Sequence, residues 1–437
     1  MTRNSGTAAQ PIAGPRAWLG LGVMILAYTF SFIDRQALTL MVGPIRKSLQ
    51  ISDTQLSLLH GFAFALFYTV MGVPIGRMVD QKRRTYIIAA GIAVWSVMTA
   101  ACGLARNFLQ MFLARIGVGV GEAALSPGAY SLIGDWFPPA HRTLAMSLYL
   151  AAAYIGAGLA TMIGGALISS VPALQLPLIG HMEPWQVVFV AIGLPGVLVA
   201  LTVLTLREPP RTGIKPGIEP HFREVLRHMA AHRSAYVLVI LGFAICGMMW
   251  NGSIAWWPTF FIRSFGWTAS EVGWRYGLVV LLSGSVGSTF GGWLAGVLRK
   301  RGHLDANILI GLLTLALALP AGLYATLCGS EWPALSGVFA FLFACSMPFG
   351  GAIAALQEIT PNQMRGQVAA IYLFSLSFLG MGLGPTMVAA FTDHIFHADA
   401  ALGQSLALSF VITVPLSAVV LALSRRPYRA ALADVDF

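Results

Sequence analysis

The stretch Asn107 to Phe137, NFLQMFLARIGVGVGEAALSPGAYSLIGDWF, carries Arg115 and Glu122 inside an apolar run long enough to cross a bilayer. Seven residues separate the two charges, so on a helix turning about 100° per residue they share nearly one face, roughly 10 Å apart along the axis. A charged side chain at the bilayer centre costs at least about 2.5 kcal/mol on insertion scales, so this face belongs inside a bundle or against a water-filled cavity. A structural ion pair locking two helices meets that requirement, and so does a binding or proton-relay site. A second run, Ala17 to Ile45, is interrupted only by Asp34 and Arg35 and favours the latter.

Composition points the same way. The chain is 57% hydrophobic and 10% charged, against roughly 25% charged residues in soluble domains, which identifies an integral membrane protein. The surplus of 27 Lys and Arg over 17 Asp and Glu is read as membrane topology; no basic patch interleaved with aromatics suggests nucleic acid. Cys102, Cys246, Cys328 and Cys345 stand singly in apolar runs and imply neither a disulfide framework nor a metal site. No Walker loop, HExxH motif or nucleophile with its base is present, so the chain reads as no enzyme and as needing no cofactor. Ser126 lies near Glu122 without a histidine in its helix, and His60 reads first as a packed or hydrogen-bonding residue, with a proton role as the alternative.

Apolar runs of about 20 or more residues predict twelve spans and an all-α membrane architecture of two six-helix bundles. A cytoplasmic N-terminal tail covers 1–16, the first bundle 17–206, a Pro- and Arg-rich linker 207–233, the second bundle 234–424 and a polar tail 425–437. Arg77, Lys82, Arg83, Arg84, Arg142, the linker, Arg299, Lys300, Arg301, Arg365, Arg425, Arg426 and Arg429 fall on one side, which is therefore read as cytoplasmic and as the side of both termini. Arg46, Lys47, Arg106, Arg263 and Arg275 remain on the other. Short loops and the lack of large soluble domains favour a bacterial cytoplasmic membrane, and a monomer is expected. Two echoes link the halves: Gly76 to Asp80 with Gly292 to Gly296, and DWFPPAHR (Asp135 to Arg142) with EITPNQMR (Glu358 to Arg365).

On these residues the chain resembles the major facilitator superfamily of secondary transporters. GRMVDQKRR, Gly76 to Arg84, is similar to that family's loop between its second and third helices, with Gly76, Asp80 and Arg84 matching. The resemblance implies a cytoplasmic latch built from Gly76, Asp80, Arg84, Asp135 and Arg142. Gly296 stands where the second half might carry an aspartate, so the latch is expected to be asymmetric and centred on Asp80. FIDR (Phe32 to Arg35), ARIGVGVGEA (Ala114 to Ala123), WQVVF (Trp185 to Phe189) and AWWPTFF (Ala255 to Phe261) resemble the spinster-type branch, which includes carriers of sphingosine phosphate and lysophospholipids.

Counting rise per residue inward from the helix ends places Asp34 about 16 Å deep, between Arg115 at about 12 Å and Glu122 at about 22 Å. Adjacent residues point about 100° apart, so Asp34 is expected to pair with Arg115 and Arg35 with Glu122. These four charges sum to zero and form the predicted substrate and proton-coupling site, with Glu122 the first candidate for the proton and Asp34 the second. Trp256, Trp257, Phe260 and Tyr372 are expected along the tail side of the cavity. The reading is a transporter moving a lipid-like amphiphile by alternating access, with protons as coupling ion. A carrier of a small organic anion or drug is the alternative, and a lipid scramblase or receptor is the alternative of another class.

Overall fold

Twelve helices long and apolar enough to cross a membrane run from Pro15–Leu40 to Asp399–Asp434 in the computed structural model. It describes residues 14–176, 180–211, 222–348 and 350–434, so the tail expected at 1–16 lies almost wholly outside the described residues, as does the middle of the linker. The spans, called first to twelfth, are Pro15–Leu40, Asp53–Gly72, Arg84–Cys102, Phe108–Trp136, Leu144–Ser170, Pro184–Leu204, Arg233–Phe265, Ala269–Lys300, Ala306–Leu327, Glu331–Glu358, Arg365–Phe396 and Asp399–Asp434. An even number of crossings puts Pro15 and Asp434 on one face, here the terminal face; the other is the distal face. Between the sixth and seventh spans a short helix, Phe222–Ala231, buries Val225 and exposes Phe222.

Several helices break where their sequences dictate. The first stops at Leu40 and resumes at Val42, because Pro44 cannot donate to the carbonyl four residues back. The fourth stops at Glu122 and resumes at Leu125, ahead of Pro127. The second and eleventh each contain a wide π turn, Leu58–Phe62 and Leu376–Leu383. These two turns meet: a Cβ on Gly61 would lie 2.1 Å from the Met381 carbonyl oxygen, so only glycine permits this approach. A two-stranded hairpin, Leu174–Leu176 with Gly180–Met182, stands on the distal face before the sixth span, where no strand was expected.

Glycines also set the contact between the halves. A Cβ on Gly165 would sit 2.4 Å from the Ala269 carbonyl oxygen, and one on Gly158 would sit 2.9 Å from that of Gly277, so the fifth and eighth spans touch backbone to backbone. The hydrogen bonds and ion pairs that join the halves gather toward the distal face, through Asp53 with Arg263, Arg46 with Asp399, Thr54 with Asp393 and Ser57 with Thr386.

At the terminal face each half is tied within itself. The buried Arg84 guanidinium pairs with Asp135 and with Glu208 at 3.1 Å. In the second half Asp305, fully buried, holds Arg425 at 2.6 Å and Arg429 at 2.8 Å, while Glu358 holds Arg299 at 2.6 Å and accepts from Tyr428 at 2.6 Å. Gly296 offers no carboxylate at the end of the eighth span, and the second half carries its anchors at the start of the ninth span and the end of the tenth; the expected centring on Asp80 rests on a side chain outside the described part of the structure. Burial pushes the Asp305 carboxyl up, but hydrogen bonds from Arg429 and Arg425 outweigh it and hold the group below the usual range. Burial of Glu208 is likewise outweighed by bonds from Arg84. The stability these acids lend is complete above about pH 4, their ordinary titration range, and is lost as pH falls through their lower folded values. The decline of melting temperature below about pH 4 should therefore be shallower in Asp305→Asn than in the unaltered protein. Equal slopes would show that Asp305 contributes nothing to acid sensitivity.

Candidate functional site

The fourth span is positioned by its glycine ladder. A Cβ on Gly119 would lie 2.6 Å from the Phe64 carbonyl oxygen, and one on Gly121 would lie 2.6 Å from the Trp95 amide nitrogen. The span therefore lies close against the second and third, and Arg115 and Glu122 become 0% and 2% exposed. Asn107 caps its start by accepting from the Gln110 amide at 2.9 Å.

Opposite, the first span presents Asp34 and Arg35. Arg115 Nη1 lies 3.2 Å from Asp34 Oδ2, and the Thr99 hydroxyl donates to the same oxygen at 3.2 Å. Arg115 Nε donates to the Leu59 carbonyl at 3.3 Å, which ties the pair to the second span's π turn. Arg35 pairs with Glu122 through Nη2 and Oε2. Both pairings are those that helical depth implies, because rigid helices leave each acid a single arginine at its level.

Phe64 forms a floor beneath both arginines: its ring centroid lies 4.3 Å from the Arg35 guanidinium carbon and 5.6 Å from that of Arg115. Phe32 at 5.3 Å and Tyr68 at 5.8 Å complete an aromatic surround for Arg35. The side chain of Arg35 is 20% exposed, against 1% for Glu122, 1% for Arg115 and 4% for Asp34. Arg35 is thus the member of the cluster that a solute reaches first.

The aromatic residues of the second half divide. Trp256 lines a small cavity between the halves with Thr39, Ser57, His60 and Pro385, and its indole donates to the Pro385 carbonyl at 3.0 Å. Trp257 instead packs within the second half, 5.6 Å from Phe260, 5.9 Å from Phe341 and 6.0 Å from Phe410 by ring centroids. Tyr372 is 5% exposed. In this conformation Trp257 and Phe260 build the core of the second half and are not a wall facing Arg35; which face of the seventh span looks inward was not legible from aromatic content.

Of the latch residues, Arg84 and Asp135 are brought together, and Arg142 donates to the Phe137 carbonyl at 3.4 Å. Gly76 lies inside the helix Ala63–Gln81, with open space where a Cβ would be, so the expected loop shrinks to Lys82 and Arg83. Asp80 stands in that helix's last turn, and its side chain lies outside the described part of the structure. Sequence reading missed Phe64 and Tyr68 around Arg35, and it missed Thr99 with Ser96 behind Asp34. Their signal was available: Ser96 and Thr99 are three apart, on one face of an otherwise apolar span.

Residues 24–385 match the profile of the Major Facilitator Superfamily. A solved structure described as a bacterial homolog to the human lysosomal transporter Spinster, in inward-facing and unoccupied conformation, superposes with a TM-score of 0.82 at 29% identity, covering 97% of this chain and 99% of that one. An MFS-type efflux pump of Mycolicibacterium smegmatis is 28% identical over 95% of this chain and 94% of its own length. The D-galactonate transporter of Escherichia coli is 26% identical over 68% of this chain and 70% of its own. With twelve spans, paired halves and a buried charge cluster between the first and fourth helices, this chain belongs to the Major Facilitator Superfamily, in its spinster-like branch.

Proposed function

We propose that the protein is a proton-coupled carrier of an amphiphilic anion or zwitterion, of the lysophospholipid or sphingoid-phosphate kind, working by alternating access in a bacterial cytoplasmic membrane. The observation that carries this reading is Arg35: partly exposed, surrounded by aromatic rings, and paired with a buried Glu122. An anionic head group competes with Glu122 for the guanidinium, while Phe32 and Tyr68 offer apolar surface to the first part of a tail. Once Arg35 turns to the substrate, Glu122 is an unpaired carboxylate at membrane depth, which is stable there only with a proton bound. Substrate and proton thus load together and leave together. Asp34 and Arg115 keep each other neutral beside them.

The basic terminal face fits the cytoplasmic side, with both termini there. The cross-half bonds toward the distal face then fit a state closed to the outside. A carrier of a small soluble organic anion is the second reading. It is favoured by the packing of Trp257 and Phe260 inside the second half, and by a relative described as a galactonate transporter.

Flux of labelled lysophospholipids and sphingoid phosphates into proteoliposomes, with and without an imposed proton gradient, tests the proposal. Gradient-driven flux is expected in the unaltered protein and is expected to be lost in Glu122→Gln. Full-rate transport with unchanged pH dependence in Glu122→Gln would remove the proton role of that residue. Flux of galactonate-like acids without lipid flux would select the second reading.

A further inference from the structure

We infer that a small hollow behind Asp34 is a binding site for a single water molecule, and that Ser96 positions Asp34 through it. The inference deepens the transport reading and rests on Asp34 and Arg115 belonging to the transport machinery. The hollow lies inside the first half, between the first, third and sixth spans, lined by Asp34, Trp95, Ser96, Thr99, Ile192 and Gly196, with room for about one water.

Its polar lining is incomplete. Asp34 Oδ2 is occupied by Arg115 and Thr99, whereas Asp34 Oδ1 and Ser96 Oγ have no partner among the described residues, and the two residues are 3% and 1% exposed. An unpartnered carboxylate oxygen and an unpartnered hydroxyl, on two residues that line one small space, are the pair a bound water satisfies, donating to the first and bonding to the second. A monovalent cation fits the size but not the charge, because Arg115 already offsets Asp34 and an added cation would stand uncompensated at membrane depth.

Sequence keeps the space available. A Cβ on Gly196 would lie 2.1 Å from Ser96 Oγ, so glycine there leaves the hydroxyl its room. The charged and titratable groups near Asp34 are Arg115 and Glu122 on the fourth span, Arg35 on its own, Cys102 on the third and, beyond Arg115, His60 on the second. The sixth span, Pro184–Leu204, contributes none. The water therefore meets Asp34 from the side free of other charges. It holds the carboxylate in the rotamer that keeps Arg115.

A structure of the full-length protein in lipid nanodiscs, at a resolution that shows ordered waters, tests the site in sodium buffer and again in sodium-free choline buffer. Density within hydrogen-bonding distance of both Asp34 Oδ1 and Ser96 Oγ is expected in both buffers and is expected to vanish in Gly196→Ala. No density, or density only with sodium, would overturn the water. The positioning role is read from the pH profile of gradient-driven lysophospholipid flux. Ser96→Ala and Gly196→Ala should each shift its midpoint, because Asp34 loses its bridge to Ser96; melting temperature should stay unchanged in Ser96→Ala and fall in Gly196→Ala, whose Cβ meets the Ser96 hydroxyl. Unmoved midpoints in both variants would overturn that role. Asp34→Asn separates the two readings: wild-type flux in that variant would sink the transport role of Asp34, whereas lost flux with unmoved Ser96 and Gly196 variants would sink only this inference.

Discussion

Arg115→Leu is expected to destabilise the protein by about 3–5 kcal/mol and to abolish transport. Arg115 is fully buried, and its guanidinium does three jobs at once: it pairs with Asp34, donates to the Leu59 carbonyl and faces the Phe64 ring. Leucine fills part of the volume but leaves Asp34 without its counter-ion, and a lone carboxylate in this setting costs more than the pair contributes. The double variant Asp34→Asn with Arg115→Leu should therefore regain much of the lost stability, because no uncompensated charge remains. It should not regain transport if the pair takes part in coupling. Unfolding in detergent micelles, followed for the single and double variants, gives the coupling energy directly. A single variant as stable as the unaltered protein would show that Asp34 accepts a proton or water at little cost, and the burial argument for the pair would fail.

Both charge pairs were legible for a physical reason. Helices have a fixed rise and a fixed turn, so a charge's depth follows from its distance to the helix end and adjacent charges point apart; together these matched Asp34 to Arg115 and Arg35 to Glu122. The twelve spans were legible for a similar reason, since a bilayer requires about 20 apolar residues whatever packs around them. Rotation about the helix axis has no such signal in an all-apolar span. That is why Trp257, expected along the cavity, lies against Phe341 and Phe410, why Phe260 packs on Trp257 and Phe265, and why Phe64 beneath the arginines went unnoticed. Nor does apolar content reveal backbone detail: the π turns that bring Gly61 onto Met381 depend on contact between two helices, which no single segment records. Arg46 and Arg263 were legible only as exceptions to the charge asymmetry. Their explanation is tertiary, because both converge on Asp53.

Asp53→Asn is expected to shift the protein strongly toward opening at its distal face. Asp53 is fully buried at the start of the second span. It accepts from Arg263 of the other half through both oxygens, at 2.6 and 2.9 Å, and pairs with Arg46 at 3.1 Å. Arg46 in turn reaches Asp399 across the halves at 2.7 Å, and that contact holds its guanidinium firmly charged despite partial burial. An amide keeps the shape of the carboxylate but not its charge, so two arginines would face each other with Asp399, 56% exposed at its side chain, and Asp393 to offset them. Full burial would make such a loss worth about 3–5 kcal/mol; with side chains of Arg46 and Arg263 22% and 13% exposed, about 2–3 kcal/mol is reasonable. That corresponds to a change of about 30- to 150-fold in the ratio of closed to open states. Electron-spin distance measurements between labels at Lys47→Cys and Ala398→Cys, both exposed positions on opposite halves, read the ratio directly. Asp399→Asn, at the solvated edge of the same network, should broaden the distance distribution far less. Identical distributions for Asp53→Asn and the unaltered protein would mean that the glycine contacts between the fifth and eighth spans hold the distal face shut without help from charge. A long-distance population in Asp53→Asn would place the main electrostatic resistance to opening at that one carboxylate, since the terminal-face carboxylates Asp305 and Glu358 bind arginines of their own half.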